Sequence, residues 1–292
     1  MDRYQKVLAE SHVPTDAATV DAAVAKIVEK APEYASPEVL QLLFSSIDLT
    51  TLSTTDTPNS VAKFTQRVND FESDYPQYRP VAAICVYSNF AEVVRTNLDV
   101  TGVSVAVVAA GFPSSQTFTS VKVADCALAV ASGANEVDIV LNLGYFFDED
   151  YETMCDEVIE MKHTVKDAHL KVILETGALK TYENIKKASV LSLYSEADFL
   201  KTSTGKMYEG ATLPAAWIMC QCIREYYEKT GRKVGFKAAG GIRSTEEALQ
   251  YYAIVKEVLG DEWLNHELFR IGASSLANAL LTSMTGTETK YF

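Results

Sequence analysis

The sequence reads as a closed (β/α)8 barrel of the α/β class, a TIM barrel with an N-terminal helical extension. Three observations lead there. Short β-branched runs recur eight times, at residues 44–49, 81–87, 103–110, 136–142, 170–176, 197–202, 233–238 and 268–272. Segments with helical apolar spacing lie between them, as at 121–131, 151–165 and 215–227, and strand alternating with helix means parallel βαβ units. The repeat is also regular. With strand ends at Asp48, Cys85, Gly111, Asp138, Glu175, Lys201, Lys237 and Gly272, seven intervals span 224 residues, 32 each on average. A βαβ unit takes ~30 residues or more, and eight of them fill a barrel of ~250. An open doubly wound sheet is the runner-up, but no Gly-x-Gly-x-x-Gly follows the first strand.

Each element has its own local signal. Residues 1–40 are polar with scattered apolar positions and form the helical extension. The strands are near-continuously apolar, as a sheet covered on both faces requires. Gly133-Ala134-Asn135 separates a helix from the fourth strand, as a C-terminal glycine cap does. Ser244-Thr245-Glu246-Glu247 is a capping box opening the helix after the seventh strand. No Pro/Ser-rich linker divides the strands, so 1–292 is read as one domain. Residues 284–292, rich in Thr, Gly and Lys, are expected to form a mobile tail.

Composition narrows the partners. A formal net charge of −13 argues against nucleic acid and anionic membrane, and any phosphate site must be made locally. Five cysteines are an odd number without a disulfide spacing. Cys220 and Cys222, two apart in a helical stretch, do not face each other. A reducing, cytoplasmic setting is expected. Residues 1–30 lack an apolar signal core, and no stretch approaches the ~18 apolar residues of a membrane span.

The chemistry is carried by charges inside apolar strands. Lys201 closes Ala197-Asp198-Phe199-Leu200, and Lys237 closes Lys233-Val234-Gly235-Phe236. Burying an ammonium costs several kcal/mol unless it is paired or deprotonated, and a desolvated lysine beside a second cation is nucleophilic at neutral pH. Two such lysines at corresponding ends of neighbouring strands point to Schiff-base chemistry; the plain alternative is two lysines snorkelling into solvent. Asp138, amid Val137 and Ile139, is either a proton relay or a structural partner for a lysine. Asp48, with Thr50 two residues on, either hydrogen-bonds a substrate hydroxyl or caps the loop after the first strand. Glu175 is compatible with simple turn chemistry. Phosphate has candidates in Gly240-Gly241 and in Gly272-Ala273-Ser274-Ser275, small turns leading into helices after strands seven and eight, with Gly205-Lys206 and Arg243 adding charge. Cys85 is either a pocket residue or an ordinary buried thiol. His12, His163, His169 and His266 fall in helical or loop segments without ligand spacing, which disfavours a metal-dependent aldol mechanism.

Taken together and in order, Asp48-Leu-Thr-Thr-Leu, Ala83-Ile-Cys-Val-Tyr, Glu136-Val-Asp-Ile-Val, Leu170-Lys-Val-Ile-Leu-Glu-Thr-Gly, Phe199-Leu-Lys-Thr-Ser-Thr-Gly, Val234-Gly-Phe-Lys-Ala-Ala-Gly-Gly-Ile-Arg and Arg270-Ile-Gly-Ala-Ser-Ser resemble the deoxyribose-phosphate aldolase family over residues 44–278. The resemblance implies a class I aldolase needing no metal and no cofactor. It would interconvert 2-deoxy-D-ribose 5-phosphate with D-glyceraldehyde 3-phosphate and acetaldehyde. It gives Lys201 the Schiff base, Lys237 the perturbing and proton-moving role, and Asp138 the proton relay. Phosphate binding falls to Gly205-Lys206, Gly240 to Arg243, and Gly272 with Ser274-Ser275. The expected partner is a small phosphorylated sugar; oligomeric state stays open, a homodimer included. The rival readings are another Schiff-base sugar-phosphate aldolase or transaldolase, and a catalytically silent sugar-phosphate binder. The sequence departs from the family in two places. Tyr291 is penultimate where long-form members end in a tyrosine thought to reach the site, and Ala238 stands where proline is frequent.

Overall fold

A computed structural model describes residues 3–292. Residues 1 and 2 of the expected extension lie outside the described residues. Eight strands close into a parallel barrel in chain order: β1 (Ile47–Thr50), β2 (Ala83–Tyr87), β3 (Ser104–Val108), β4 (Glu136–Val140), β5 (His169–Ile173), β6 (Phe199–Lys201), β7 (Gly235–Ala239) and β8 (Phe269–Ala273), with β1 paired to both β2 and β8. Helices return the chain between strands, and Ser244 caps Thr245–Leu259 through the capping box, its side chain accepting from Glu247 N.

Period-two alternation divides each strand between two environments. One set, with Leu49, Ile84, Val107, Val137, Ile139 and Val172, belongs to the large apolar cluster shared with the helices. The alternate set faces the lumen. There a second, small apolar cluster joins Ala83, Cys85, Ala106, Val108 and Leu52. The other half of the lumen is ionic: Asp48, Glu136, Asp138, Lys171, Lys201, Lys237 and Arg270 are all buried. Barrel interiors are ordinarily filled by branched aliphatic side chains, so the ionic half is what sets this barrel apart. Phe199 lies among these charges, its ring centroid 5.8 Å from Lys171 Nζ and 5.9 Å from the Arg270 guanidinium carbon.

The extension folds as helices Arg3–Ala9, Ala17–Val28 and Pro37–Phe44 around a 3-10 turn, Ala31–Tyr34. Asp16 and Ser36 cap the second and third helices. Val20, Val24 and Ile27, one face of the second helix, are buried where it meets Leu213–Thr230 and Thr245–Leu259. Each contributes about 1.5–3 kcal/mol of burial at most, enough to dock the helix on the outer layer.

The last residues of the chain contact the outer layer. Tyr291 packs on Phe71 and Tyr75 (ring centroids 5.7 and 5.4 Å), and Phe292 lies 6.3 Å from Phe44. The Asn278 side chain accepts from both Tyr291 N and Phe292 N, at 2.7 and 3.0 Å. Aromatic burial offsets the ordering cost that the polar composition alone would leave unmet. The Tyr291 hydroxyl donates to Asp74 Oδ2 at 2.8 Å, at the end of helix Pro58–Asp74 that returns the chain toward the start of β2, away from the strand C-termini. One expectation is corrected: His169 opens β5 instead of lying in a helix or loop.

Candidate active site

Lys201 closes β6 and is the direct register partner of Lys237 on β7. From β4, Asp138 Oδ2 accepts from Lys201 Nζ at 2.8 Å and from Lys237 Nζ at 2.7 Å. Lys201 is 4% exposed and lines the cavity at the mouth, whereas Lys237 and Asp138 are at 0% beneath it. Gly272 on β8 makes room for this: a Cβ there would stand 3.1 Å from Lys237 Cε.

Asp48, Asp138 and Lys237 do not stand at strand ends as expected. They are the second, third and third residues of their strands. Their side chains converge below the mouth because the lumen supplies counter-charges at that depth. Asp48 is engaged through both carboxylate oxygens. Its Oδ1 accepts from Arg270 Nη1 at 2.6 Å, and its Oδ2 from Lys171 Nζ at 3.1 Å and from Lys237 Nζ. It is fully buried and lies beneath the residues that line the cavity. Thr50, two residues on, does line the mouth, its hydroxyl donating to the Asp48 carbonyl at 2.8 Å.

Above Lys201 lies an open cavity of about 270 Å³. Its walls include Thr50, Gly205, Lys206, Gly240, Gly241, Arg243, Gly272, Ser274 and Ser275, bringing the sequence-identified turns together. Gly240 has φ +94° and runs so close to Gly210 that a Cβ on Gly210 would meet the Gly240 oxygen at 2.2 Å. Only glycine tolerates both conditions. Helix Leu276–Thr285 starts from Ser275 with no side-chain cap, leaving first-turn N–H groups beside the cavity wall. Glu175 holds a left-handed φ of 55° just after β5, and its carboxylate accepts from Thr204 N at 3.1 Å and from the Thr204 hydroxyl. It braces the Thr204-Gly205-Lys206 turn. Lys206 in turn donates to the Leu52 carbonyl across the mouth.

With this geometry established, comparison with known proteins is direct. The sequence profile of the DeoC/LacD family aldolase matches residues 43–281. The chain belongs to the DeoC/LacD aldolase family. A Caenorhabditis elegans relative is 42% identical over 270 residues, covering 90% of this chain and 87% of that protein. The human protein named deoxyribose-phosphate aldolase is 42% identical over 246 residues, covering 79% of this chain and 76% of its own length. A crystal structure from Coccidioides immitis superposes with a TM-score of 0.71 at 26% identity, over 90% of this chain and 97% of that one.

Electrostatics separate the two lysines of this aldolase. Burial, with the charge of Lys237 behind it, lowers the pKa of Lys201 despite the opposing pull of Asp138. Burial pulls on Lys237 too, but Asp138 and Asp48 outweigh it and hold its ammonium above the usual lysine range. Burial alone would raise Asp138, yet Lys171, Lys201 and Lys237 bring it below the usual carboxylate range. Burial raises the Cys85 thiol, which stays protonated. Among the described residues, no group of three or more His, Cys, Asp or Glu side chains is placed to hold a metal ion.

Three members of this charged group were not singled out from the sequence: Glu136, Lys171 and Arg270. Lys171 Nζ meets Glu136, Asp48 at 3.1 Å and Asp138 Oδ1 at 3.2 Å. Arg270 forks onto Glu136, Nη2 to Oε1 at 2.8 Å and Nη1 to Oε2 at 3.0 Å. A signal existed. Lys171 is flanked by apolar Leu170 and Val172, and Arg270 by Phe269 and Ile271, whereas Glu136 follows polar Asn135 and opens its strand.

Proposed function

We propose that this aldolase reversibly cleaves 2-deoxy-D-ribose 5-phosphate to D-glyceraldehyde 3-phosphate and acetaldehyde, with Lys201 forming the Schiff base. The observation that carries the reading is a buried lysine of lowered proton affinity that opens onto a cavity walled by phosphate-type turns. Neutral Lys201 Nζ attacks the aldehyde carbon of the open-chain sugar. The carbinolamine gains a proton and loses water, giving an iminium. Asp138 and Lys237, each in hydrogen-bond reach of the other, move the protons of this step. Loss of the C3 hydroxyl proton then breaks the C2–C3 bond, and its electron pair flows into the iminium to leave an enamine. Glyceraldehyde 3-phosphate departs; protonation at C2 and hydrolysis release acetaldehyde and regenerate the amine.

Gly205, Lys206, Gly240, Gly241, Arg243, Gly272, Ser274 and Ser275 would bind the phosphate through backbone N–H groups, hydroxyls and two cations. That anchor holds the sugar remote from the reacting bond and contributes orientation. No described helix is long and apolar enough to cross a membrane. The reading places the enzyme in the cytoplasm, where its five buried, unpaired cysteines stay reduced. It also admits a homodimer, for which exposed Phe118, Val121 and Leu128 supply an apolar stripe; sedimentation velocity tests this.

The direct test is incubation with acetaldehyde, reduction with borohydride and location of the adduct by peptide mass. An ethyl group on Lys201 is expected. Labelling at Lys237 would exchange the two lysine roles, and no adduct on folded protein would sink the Schiff-base mechanism.

A further inference from the structure

We propose that Arg270 and Glu136, which do not line the substrate cavity, complete a balance of buried charge that leaves Lys201 as the uncharged amine. The inference rests on the reading of Lys201 as the Schiff-base nucleophile, and makes the Arg270–Glu136 pair a positioning device for its charge state.

The lumen holds three carboxylates, Asp48, Glu136 and Asp138, against four basic groups, Lys171, Lys201, Lys237 and Arg270. With no bulk water or counter-ions around them, an unmatched charge is expensive, so one basic group is favoured to be neutral. Arginine does not give up its proton in proteins. Lys171 is held by Glu136, Asp48 and Asp138, and Lys237 by Asp48 and Asp138. Lys201 has Asp138 alone, and shares the oxygen it touches with Lys237. The surplus therefore falls on Lys201, the one basic group of the four at the cavity wall.

Arg270 and Glu136 make that count come out even. Arg270 is 1% exposed and spans Glu136 and Asp48, at the opposite end of the cluster from Lys201. Without its charge, Lys171 and Lys237 alone face three carboxylates, and Lys201 is drawn into its ammonium form. Without the Glu136 charge the imbalance reverses, and Lys201 gives up its proton more readily. The other groups facing the cluster do not supply the missing charge. Cys85 on β2 keeps its proton, and β3 presents Ala106 and Val108. His169 lies beyond Phe199, 6.1 Å from its ring centroid. Lys206 and Arg243 share the cavity with Lys201, but both are exposed to solvent.

The test follows the rate of borohydride-trapped ethylation of Lys201 by acetaldehyde as a function of pH, with the adduct located by mass and folding checked by circular dichroism. Wild type comes first: no label on Lys201 there overturns the Schiff-base reading itself. Given that label, Arg270→Gln is expected to move the midpoint alkaline by about one pH unit, and Glu136→Gln to move it toward acid. The double variant, neutral at both positions, is expected to return toward wild type. A merely structural pair would give no opposite shifts and no such return. Folded single variants with the wild-type midpoint overturn the inference, as does a double variant no nearer wild type than Arg270→Gln. Should Arg270→Gln fail to fold, Arg270→Lys decides with Glu136→Gln. The charge-keeping variant is expected to hold the wild-type midpoint while Glu136→Gln shifts it, and any other pairing refutes the proposal.

Discussion

Replacing Lys237 by Met removes the cation nearest Lys201 and keeps a side chain of similar length. Both ammonium nitrogens bond the same Asp138 oxygen, at 2.8 and 2.7 Å, so they lie no more than 5.5 Å apart. At that separation and an effective dielectric of about 20, two unit charges repel by about 3 kcal/mol. That repulsion corresponds to roughly two pH units in the proton affinity of Lys201. Since Lys237 lowers Lys201, losing its charge lets Lys201 rise, and the neutral fraction at pH 7 falls, by at most about a hundredfold. Asp138 and Asp48 also lose a partner, which protonated Lys201 replaces in part. The assay is imine trapping with acetaldehyde and borohydride across pH 6 to 10, alongside cleavage of deoxyribose 5-phosphate. Trapping is expected to be slow at pH 7 and to recover as pH rises. A wild-type profile would refute the electrostatic argument. A uniform loss that alkaline pH does not relieve would also refute it, and would make Lys237 indispensable as a proton carrier instead.

Lys201→Leu should abolish trapping yet melt a few degrees higher than wild type at pH 7. A lysine whose folded pKa is lowered binds protons better when unfolded. Its penalty is absent above the unfolded value near 10.4 and complete below the folded value, so the melting difference should shrink as pH is raised toward 10; equal melting at pH 7 would contradict this. Gly272→Ala places a methyl 3.0 Å from Ala239 Cβ and 3.1 Å from Lys237 Cε. Overpacking of about 1–3 kcal/mol and a reduced kcat should follow, read by thermal melting and steady-state kinetics. Arg243→Ala should raise KM for deoxyribose 5-phosphate about tenfold or more while leaving slow turnover of unphosphorylated deoxyribose unchanged; equal losses on both substrates would remove Arg243 from phosphate binding.

By itself, the sequence determined the barrel and its chemical character. Eight apolar runs spaced by 32 residues admit little else, because each βαβ unit must cover its strand on both faces. Lys201, Lys237 and Asp138 stood out because a charge within an apolar strand is costly wherever that strand lies, and small turns after strands seven and eight marked the cavity wall. Tertiary structure alone decided which charges meet. Alternation along β1, β4, β5 and β8 puts Asp48, Glu136, Lys171 and Arg270 on one face of each strand, but strand closure and register turn those faces into a shared lumen. It withdrew Asp48 from the cavity, docked Tyr291 on Asp74, and gave Lys201 one carboxylate where Lys237 has two. Burial cost is a property of each strand and can be read locally; the charge state of Lys201 depends on distances between seven groups brought together from six strands, which no local pattern records.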